Sequence, residues 1–243
     1  MRTKIHGRQV TYDRVGKGRE TIVILHAWSK RINRSKYQRL INLLAKTRQV
    51  IFLDFPGFGN SDPPPKPWTV NDYAEFVSSF LKKLKIKNCI IFGHSFGGRV
   101  AIKLANKYPN SIKKLILADS AGVERKSFKV KTLIALSKLA PDFLKKSWSS
   151  FFGSKNFSEI NGVMRETLKL IVAENLEEEM KRVQKPTLIV WGKDDRTTPL
   201  WQGKLMHKLI NGSKFVVVAN ANHGLPWQKP KILARIILKF LII

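Results

Sequence analysis

Residues 88–100, NCIIFGHSFGGRV, place one serine among three glycines, between an apolar run and a helical pattern. Residues 93–97 have the form G-x-S-x-G with Ser95 at the centre. Between a strand and a helix, this pattern is typical of a nucleophile elbow, where glycines admit the neighbouring backbone around a strained serine. The spacing matches neither the dinucleotide-binding pattern nor the phosphate loop. The stretch predicts that Ser95 is a nucleophile; the alternative is a strand–helix turn that binds phosphate or only packs.

Apolar runs alternate with helical patterns on both sides of this stretch. The predicted strands are 20–26, 49–55, 88–93, 113–119, 186–192 and 214–219, and the predicted helices are 35–46, 69–84, 96–107, 201–210 and one from about Pro230. Thr69, with Asp72 three residues later, predicts a capping box at a helix start. Short apolar strands alternating with helices are typical of a mostly parallel sheet covered on both faces, so the sequence predicts an α/β fold.

Residues 123–183 interrupt this alternation with helical patterns and no buried strand. We interpret them as a helical cap inserted into a core formed by residues 1–122 and 184–243. A second independent domain is the weaker alternative, because about sixty residues bury little core of their own.

A nucleophilic serine needs a base, and the chain order expected in this arrangement is serine, acid, histidine. His223 lies in a loop after an apolar strand, where loops meet at the edge of an open sheet and bind ligands. His207 lies within a helical pattern beside leucines, which favours a packing or surface role. We therefore predict His223 as the base.

The acid has two candidates. Asp195, in WGKDDRTTP after a strand, is the preferred one, with Asp194 as its solvated neighbour. Asp119, at the end of KLILAD, is the rival, although a turn or helix cap also explains it. For the oxyanion, the backbone N–H groups of Trp28 and Phe96 are the predicted donors.

Five motifs carry a resemblance to a known family: LHAWS (25–29), DFPGFGNSD (54–62), GHSFGG (93–98), WGKDDRTTP (191–199) and NHGLPWQKP (222–230). In this order, and over nearly the whole chain, they resemble α/β-hydrolase-fold proteins of the capped esterase type. The resemblance implies Ser95, Asp195 and His223 as a catalytic triad. Two positions depart from the usual family pattern, since Ala27 and Asn222 stand where glycine is common.

These assignments predict a serine hydrolase that cleaves short-to-medium-chain carboxylic esters through an acyl-enzyme, without a cofactor or a metal. A cofactor-free perhydrolase, a C–C bond hydrolase and a catalytically silent binding module are the alternatives. The predicted substrate pocket combines loop residues with cap residues: Trp28, Phe96, Trp148, Phe151, Phe152, Leu225 and Trp227.

The composition is that of a globular protein with a large excess of positive charge. Lysine and arginine number 45 against 17 acids, a formal net charge of +28. Because the lysines are spread along the chain without a basic run or arm, we expect solvated surfaces and no specific nucleic-acid site. The single Cys89 excludes an internal disulfide framework, and no apolar run is long enough to span a membrane. A small-molecule ester is the expected partner and the cytoplasm the expected location; the sequence does not indicate the oligomeric state.

Overall fold

The structure, a computed structural model, describes residues 1–29, 34–123 and 162–242. Its strands are β1 (Arg2–Ile5), β2 (Arg8–Val15), β3 (Thr21–Leu25), β4 (Gln49–Leu53), β5 (Cys89–His94), β6 (Ile112–Ala118), β7 (Thr187–Gly192) and β8 (Lys214–Val218). Its helices are α1 (Arg34–Leu44), α2 (Val70–Lys83), α3 (Phe96–Lys107), α4 (Val163–Ala173), α5 (Glu177–Lys181), α6 (Leu200–Leu209), α7 (Leu225–Gln228) and α8 (Pro230–Ile242), with a 3₁₀ turn at Pro109–Ser111.

Within these residues the strands form one sheet in the order β1-β2-β4-β3-β5-β6-β7-β8. The six strands from β3 to β8 are mutually parallel, and β2 pairs antiparallel with β4. The C-terminal ends of the parallel strands therefore meet at one edge, which holds the loops that follow β3, β5, β6, β7 and β8. The fold class predicted from the sequence is confirmed.

Two apolar layers cover the sheet, because successive strand residues point to opposite faces. Side chains such as Val23, Leu25 and Ile91 pack with α2 and α3 on one face. Their neighbours Ile22, Ile24 and Ile90 pack with α1 and α8 on the other. The fully apolar strands are buried on both faces, as parallel strands of this architecture require.

The predicted elements agree closely with the observed ones. Each predicted strand matches an observed strand within two residues at either end. The capping box of α2 is present: the Thr69 hydroxyl accepts from Asp72 N–H at 3.2 Å, and Asp72 Oδ2 accepts from Thr69 N–H at 2.7 Å.

The sequence analysis did not predict the hairpin of β1 and β2. Its two-residue loop, His6-Gly7, has positive φ values of 49° and 79° at both positions, the geometry that hairpin turns of type I′ require. Its strands are half exposed and rich in arginine, lysine and threonine, so they lack the apolar runs that mark the buried strands.

The predicted cap falls largely outside the described residues. Of that segment, 162–183 are described and are mostly helical, in α4 and α5. The cap boundaries and the cap residues Trp148, Phe151 and Phe152 remain predictions. Among the described helices, none has the length and apolar character needed to cross a membrane.

Candidate active site

Ser95 lies in a sharp turn between β5 and α3. Its φ of 53° and ψ of −112° are unusual for a residue with a side chain. The glycines around it have a steric reason: a Cβ at Gly93 would lie 2.6 Å from the carbonyl oxygen of Gly97, and one at Gly97 would overlap the carbonyl oxygen of Leu25. The backbone is thus packed so closely that the strained turn holds the serine at the end of the strand.

Ser95, His223 and Asp195 form one line of hydrogen bonds. Ser95 Oγ lies 2.9 Å from His223 Nε2, and His223 Nδ1 lies 2.8 Å from Asp195 Oδ2. The carboxylate is fully buried, whereas the imidazole is 22% exposed. The structure therefore brings together the three residues that the sequence analysis had selected from three separate loops.

The Asp195 carboxylate is held by the loop that follows it. Oδ1 accepts from the backbone N–H groups of Thr197 at 2.8 Å and Thr198 at 2.9 Å, and Oδ2 accepts from the Thr198 hydroxyl at 2.8 Å. Burial acts to raise the pKa of Asp195, but His223 and Thr198 outweigh it and leave the pKa below its ordinary value. The group is therefore an anion when His223 is ready to accept a proton.

Asp119, the rival acid, binds backbone instead of an imidazole. It is fully buried, and its carboxylate accepts from Gly192 N–H at 2.8 Å and Leu225 N–H at 3.3 Å. Burial raises its pKa to about 7. Asp119 thus links the end of β7 to the loop that carries His223.

A second chain of hydrogen bonds holds the backbone of the His223 loop through the carbonyl oxygen of His223. His94, next to Ser95, donates from Nε2 to the carbonyl oxygen of His223 at 2.9 Å. Its Nδ1 therefore accepts from the Tyr37 hydroxyl at 2.7 Å, and that hydroxyl accepts from Ala27 N–H at 3.3 Å. Burial lowers the pKa of His94 to about 3, so the ring is neutral and keeps this tautomer.

The predicted oxyanion loop follows β3 and packs against the elbow. His26 donates from Nδ1 to Ala27 O at 2.7 Å and accepts from Phe55 N–H at 3.2 Å through Nε2, while its carbonyl accepts from Gly97 N–H at 3.1 Å. Burial lowers the pKa of His26 to about 4, so this ring is also neutral. These bonds place Trp28 beside Phe96, with ring centroids 5.3 Å apart.

Asn222, the second departure from the usual family pattern, shapes the histidine loop. Its side-chain oxygen accepts from Gly224 N–H at 3.0 Å, which closes a turn around His223. Its own N–H donates to Gln228 Oε1 at 3.0 Å. A glycine could make only the second of these contacts, so the asparagine adds a constraint.

The four described residues of the predicted pocket fall into two groups. Trp28 and Phe96 pack with Phe55 and Phe58 on the α2–α3 side of the sheet. Leu225 is fully buried on the opposite side, and Trp227 packs there against Tyr37 and His94. The four residues thus lie in two apolar clusters on opposite faces of the sheet, and their place in a substrate pocket stays a prediction.

His207 lies away from this edge. It is on α6, where Nδ1 lies 2.8 Å from Ser213 Oγ and the ring stacks on Phe215. These contacts agree with the packing role expected from its helical position.

Among the described residues, one group could bring metal-ligating atoms within 4.8 Å of one another: His94, Asp119 and His223. Each of these side chains already makes hydrogen bonds: His94 and His223 within the two chains described above, and Asp119 with backbone N–H groups. A metal ion here would have to displace Tyr37, Asp195 or a backbone partner, so the arrangement fits proton transfer better than metal binding.

The sequence profile of the alpha/beta hydrolase fold family matches residues 20–132 and 121–230. The chain belongs to this family. Relatives of the α/β hydrolase fold that align over almost their whole length include the uncharacterized hydrolase YugF of Bacillus subtilis (strain 168). It is 25% identical over 276 residues, covering 99% of this chain and 97% of that protein.

Another relative is a 2-hydroxy-6-oxononadienedioate/2-hydroxy-6-oxononatrienedioate hydrolase of Pseudomonas putida, 27% identical over 261 residues, covering 96% of this chain and 91% of that protein. A solved α/β-hydrolase structure, a serine hydrolase involved in carbazole degradation (CarC enzyme), superposes with a TM-score of 0.80 at 23% identity. It covers 99% of this chain and 97% of that one. The chain is therefore a hydrolase of this fold.

Sequence reasoning missed the contribution of Tyr37, Thr198 and the neutral His94. Tyr37 occupies an ordinary buried position of the α1 pattern, which gave no sign that its hydroxyl faces the elbow. His94 stood within the quoted motif, yet its role depends on a carbonyl 129 positions away in the chain.

Proposed function

We propose that this protein hydrolyses carboxylic esters through an acyl-enzyme formed on Ser95. The observation that carries the proposal is the line of contacts from Ser95 Oγ to His223 Nε2 (2.9 Å) and from His223 Nδ1 to Asp195 Oδ2 (2.8 Å). A serine hydroxyl becomes an effective nucleophile when a neutral imidazole can take its proton and an anion holds the imidazole in the right tautomer.

The reaction proceeds in two halves. Ser95 Oγ attacks the ester carbonyl while its proton passes to His223 Nε2, and Asp195 stabilises the imidazolium. The tetrahedral intermediate then collapses, the C–O bond of the alcohol breaks, and His223 returns the proton to the departing alkoxide. In the second half His223 takes a proton from water, the hydroxide attacks the acyl carbonyl, and Ser95 leaves with the proton while the carboxylic acid is released.

The backbone N–H groups of Phe96 and Trp28 are the proposed oxyanion donors. Phe96 is the first residue of α3, so its N–H has no partner inside the helix and lies at the positive end of the helix dipole. Trp28 is held next to it by the ring contact at 5.3 Å. One such donor is typically worth about a hundred- to a thousandfold in kcat.

The acyl side of the site is apolar. Trp28, Phe55, Phe58 and Phe96 form a cluster of edge-to-face and tilted ring contacts, with centroids 4.7 to 6.2 Å apart. This cluster supports short-to-medium acyl chains, which gain free energy when they leave water. The indole Nε1 of Trp28 is buried without a partner among the described residues.

The test is Ser95→Ala with a p-nitrophenyl ester and a fluorophosphonate probe. We expect the variant to lose both turnover and labelling, because no other group can form the acyl-enzyme. Ser78→Ala is the matched control: Ser78 is also buried, but it lies on α2 and its hydroxyl has no partner among the described residues. Full turnover in Ser95→Ala would refute the proposal, and an unlabelled wild-type protein would favour a binding module.

Cleavage of a C–C bond is the second candidate. It is supported by the relative from Pseudomonas putida, which is named as a hydrolase of a 2-hydroxy-6-oxo dienedioate. The test compares kcat/KM for a p-nitrophenyl ester with kcat/KM for a 2-hydroxy-6-oxo dienoate, followed by the loss of its absorbance. A preference for the dienoate would replace the ester proposal, and peroxide-dependent halogenation in the same preparation would point to a perhydrolase.

A further inference from the structure

The sheet edge opposite Ser95, where the six parallel strands begin, concentrates positive charge. The segments around these strand starts are 17–20, 46–48, 82–88, 113–114, 181–186 and 208–214, and they hold fifteen lysines and arginines and one acid, Glu20. The described loops at the Ser95 edge are 26–29, 34–36, 54–69, 94–96, 118–123, 192–200 and 219–224, and they hold five basic and five acidic residues. Among the described residues, the fold therefore collects at this edge cations that are scattered along the sequence. We call the first set of segments the basic edge.

Contacts join these segments into one surface. Glu20 binds Arg48 at 2.9 Å and Lys113 at 2.6 Å, which connects the starts of β3, β4 and β6. Leu115 N–H donates to Pro186 O at 3.0 Å and ties the start of β6 to segment 181–186. The single acid of the basic edge is thus already engaged by two of its cations.

The positively charged side chains of the basic edge repel one another. Burial lowers the pKa of Lys114, and repulsion from Lys113 and Lys214 lowers it further. Such mutual repulsion costs free energy in the isolated protein, and a polyanion bound at the basic edge would relieve it.

An exposed apolar residue accompanies the charge. Lys114 Nζ donates to the carbonyl oxygens of Phe240 at 3.0 Å and Leu241 at 3.4 Å, so the last turn of α8 lies at the basic edge. The next residue, Ile242, is 82% exposed. A large aliphatic side chain standing in water beside a group of cations is a combination that suits the surface of a membrane.

We propose that the basic edge docks the protein on an anionic lipid bilayer. Twelve of its fifteen cations are lysines, compact charges suited to a diffuse layer of lipid phosphates, and three are arginines, the residue whose planar fork suits bidentate contacts to nucleic-acid bases and phosphates. Ile242 supplies an apolar contact below the headgroups. Because the Ser95 edge lies on the opposite side of the sheet, the docked protein keeps its candidate active site open to solution.

The experiment is co-sedimentation with vesicles of equimolar phosphatidylglycerol and phosphatidylcholine, compared with vesicles of phosphatidylcholine alone. We expect binding only to the anionic vesicles and its loss at high salt. The test variant is Lys46→Glu/Lys87→Glu/Lys214→Glu, which changes three exposed lysines from three segments of the basic edge. Since each basic residue near an anionic surface contributes about 1 kcal/mol, its affinity should fall by about a hundredfold or more.

The matched control reverses three exposed lysines elsewhere, Lys4→Glu/Lys66→Glu/Lys193→Glu, and should lose at most about threefold of the affinity through net charge alone. Ile242→Ser should weaken vesicle binding by about tenfold, because it removes the apolar contact. Thermal unfolding checks that every variant is folded, and turnover of a soluble ester should be unchanged in all of them.

Three results would overturn the proposal: no binding to anionic vesicles, equal losses in the two triple variants, or no effect of Ile242→Ser. Tighter binding to a duplex oligonucleotide than to the vesicles at the same salt concentration would also overturn it, and would assign the basic edge to nucleic acid. Loss of ester turnover in Ser95→Ala concerns the opposite edge and has no bearing on these outcomes.

Discussion

Two buried aspartates lie close to His223, and they differ in what their oxygens bind. Asp195 contacts the imidazole directly and also accepts from Thr198, which keeps it anionic. Asp119 accepts from two backbone N–H groups, and burial raises its pKa to about 7. The same side chain therefore serves as an orienting anion at one position and as a link between loops at the other.

Replacement of each aspartate by asparagine separates these roles. Asp195→Asn presents an amide to His223 Nδ1 and favours the wrong tautomer, so kcat should fall by about a thousand- to ten-thousandfold. Asp119→Asn keeps one acceptor for Gly192 or Leu225 and leaves His223 paired, so kcat should fall by less than about tenfold. Steady-state kinetics with a p-nitrophenyl ester measure both. A larger loss in Asp119→Asn would identify Asp119 as the acid.

At the scale of elements, the hydroxyl of Tyr37 connects three parts of the fold: α1, the oxyanion loop and the elbow. The hydroxyl lies on α1, receives the N–H of the oxyanion loop at Ala27, and donates to His94 in the elbow. His94 in turn holds the carbonyl of His223. The position of His223, the candidate base, thus depends on α1, which packs on the face of the sheet opposite to α3.

Tyr37→Phe removes this shared hydroxyl and leaves Ala27 N–H and His94 Nδ1 without a partner. We expect the free energy of unfolding to fall by about 1–3 kcal/mol. We also expect kcat to fall by about tenfold with KM nearly unchanged, because His223 is held less well for proton transfer.

Tyr73→Phe is the control, since its hydroxyl is also buried but donates only to Pro56 O, at 3.1 Å. It should lose similar stability and keep its kcat. Equal losses of kcat in both variants would show that Tyr37 contributes only to folding. Urea unfolding and steady-state kinetics on the two proteins decide this.

The sequence predicted the strands that are completely buried, but it did not predict the strands that are only partly buried. Strands such as β3 and β5 are apolar at nearly every position, so composition alone marks them. The half-exposed β1 and β2 carry no such mark. The direction of a loop side chain is harder to predict: Trp227 packs against Tyr37 of α1, a contact between distant residues that no local sequence pattern encodes.

At the scale of the whole molecule, the order of the strands in the sheet brings together residues that lie far apart in the sequence. Ser95, Asp195 and His223 meet because three parallel strands end at one edge, and chain order with family motifs was enough to anticipate this. The basic edge arises from the same geometry at the other ends of the strands. It could not be anticipated, because its cations come from six separate segments and none of them is a basic run.

Buried titratable groups from both faces of the sheet also set the response of the whole fold to acid. Burial lowers the pKa of His26 to about 4 and that of His94 to about 3, and it raises the pKa of Asp119 to about 7. Between about pH 6 and pH 4.5, unfolding should bind about two protons at the histidines and release about one at Asp119. The net uptake of about one proton by these three groups lowers the free energy of unfolding as the pH falls.

This balance predicts a slope of about 1.4 kcal/mol per pH unit from the three groups, with stability lost toward acid. Asp119→Asn removes the opposing proton release, so its slope should approach twice that of the wild type over the same range. His94→Asn removes one proton uptake and should bring the slope close to zero. Urea unfolding at several pH values measures all three proteins. A slope in Asp119→Asn that is no steeper than that of the wild type would contradict the assignment, because it would mean that Asp119 is ionised in both the folded and the unfolded protein throughout this range.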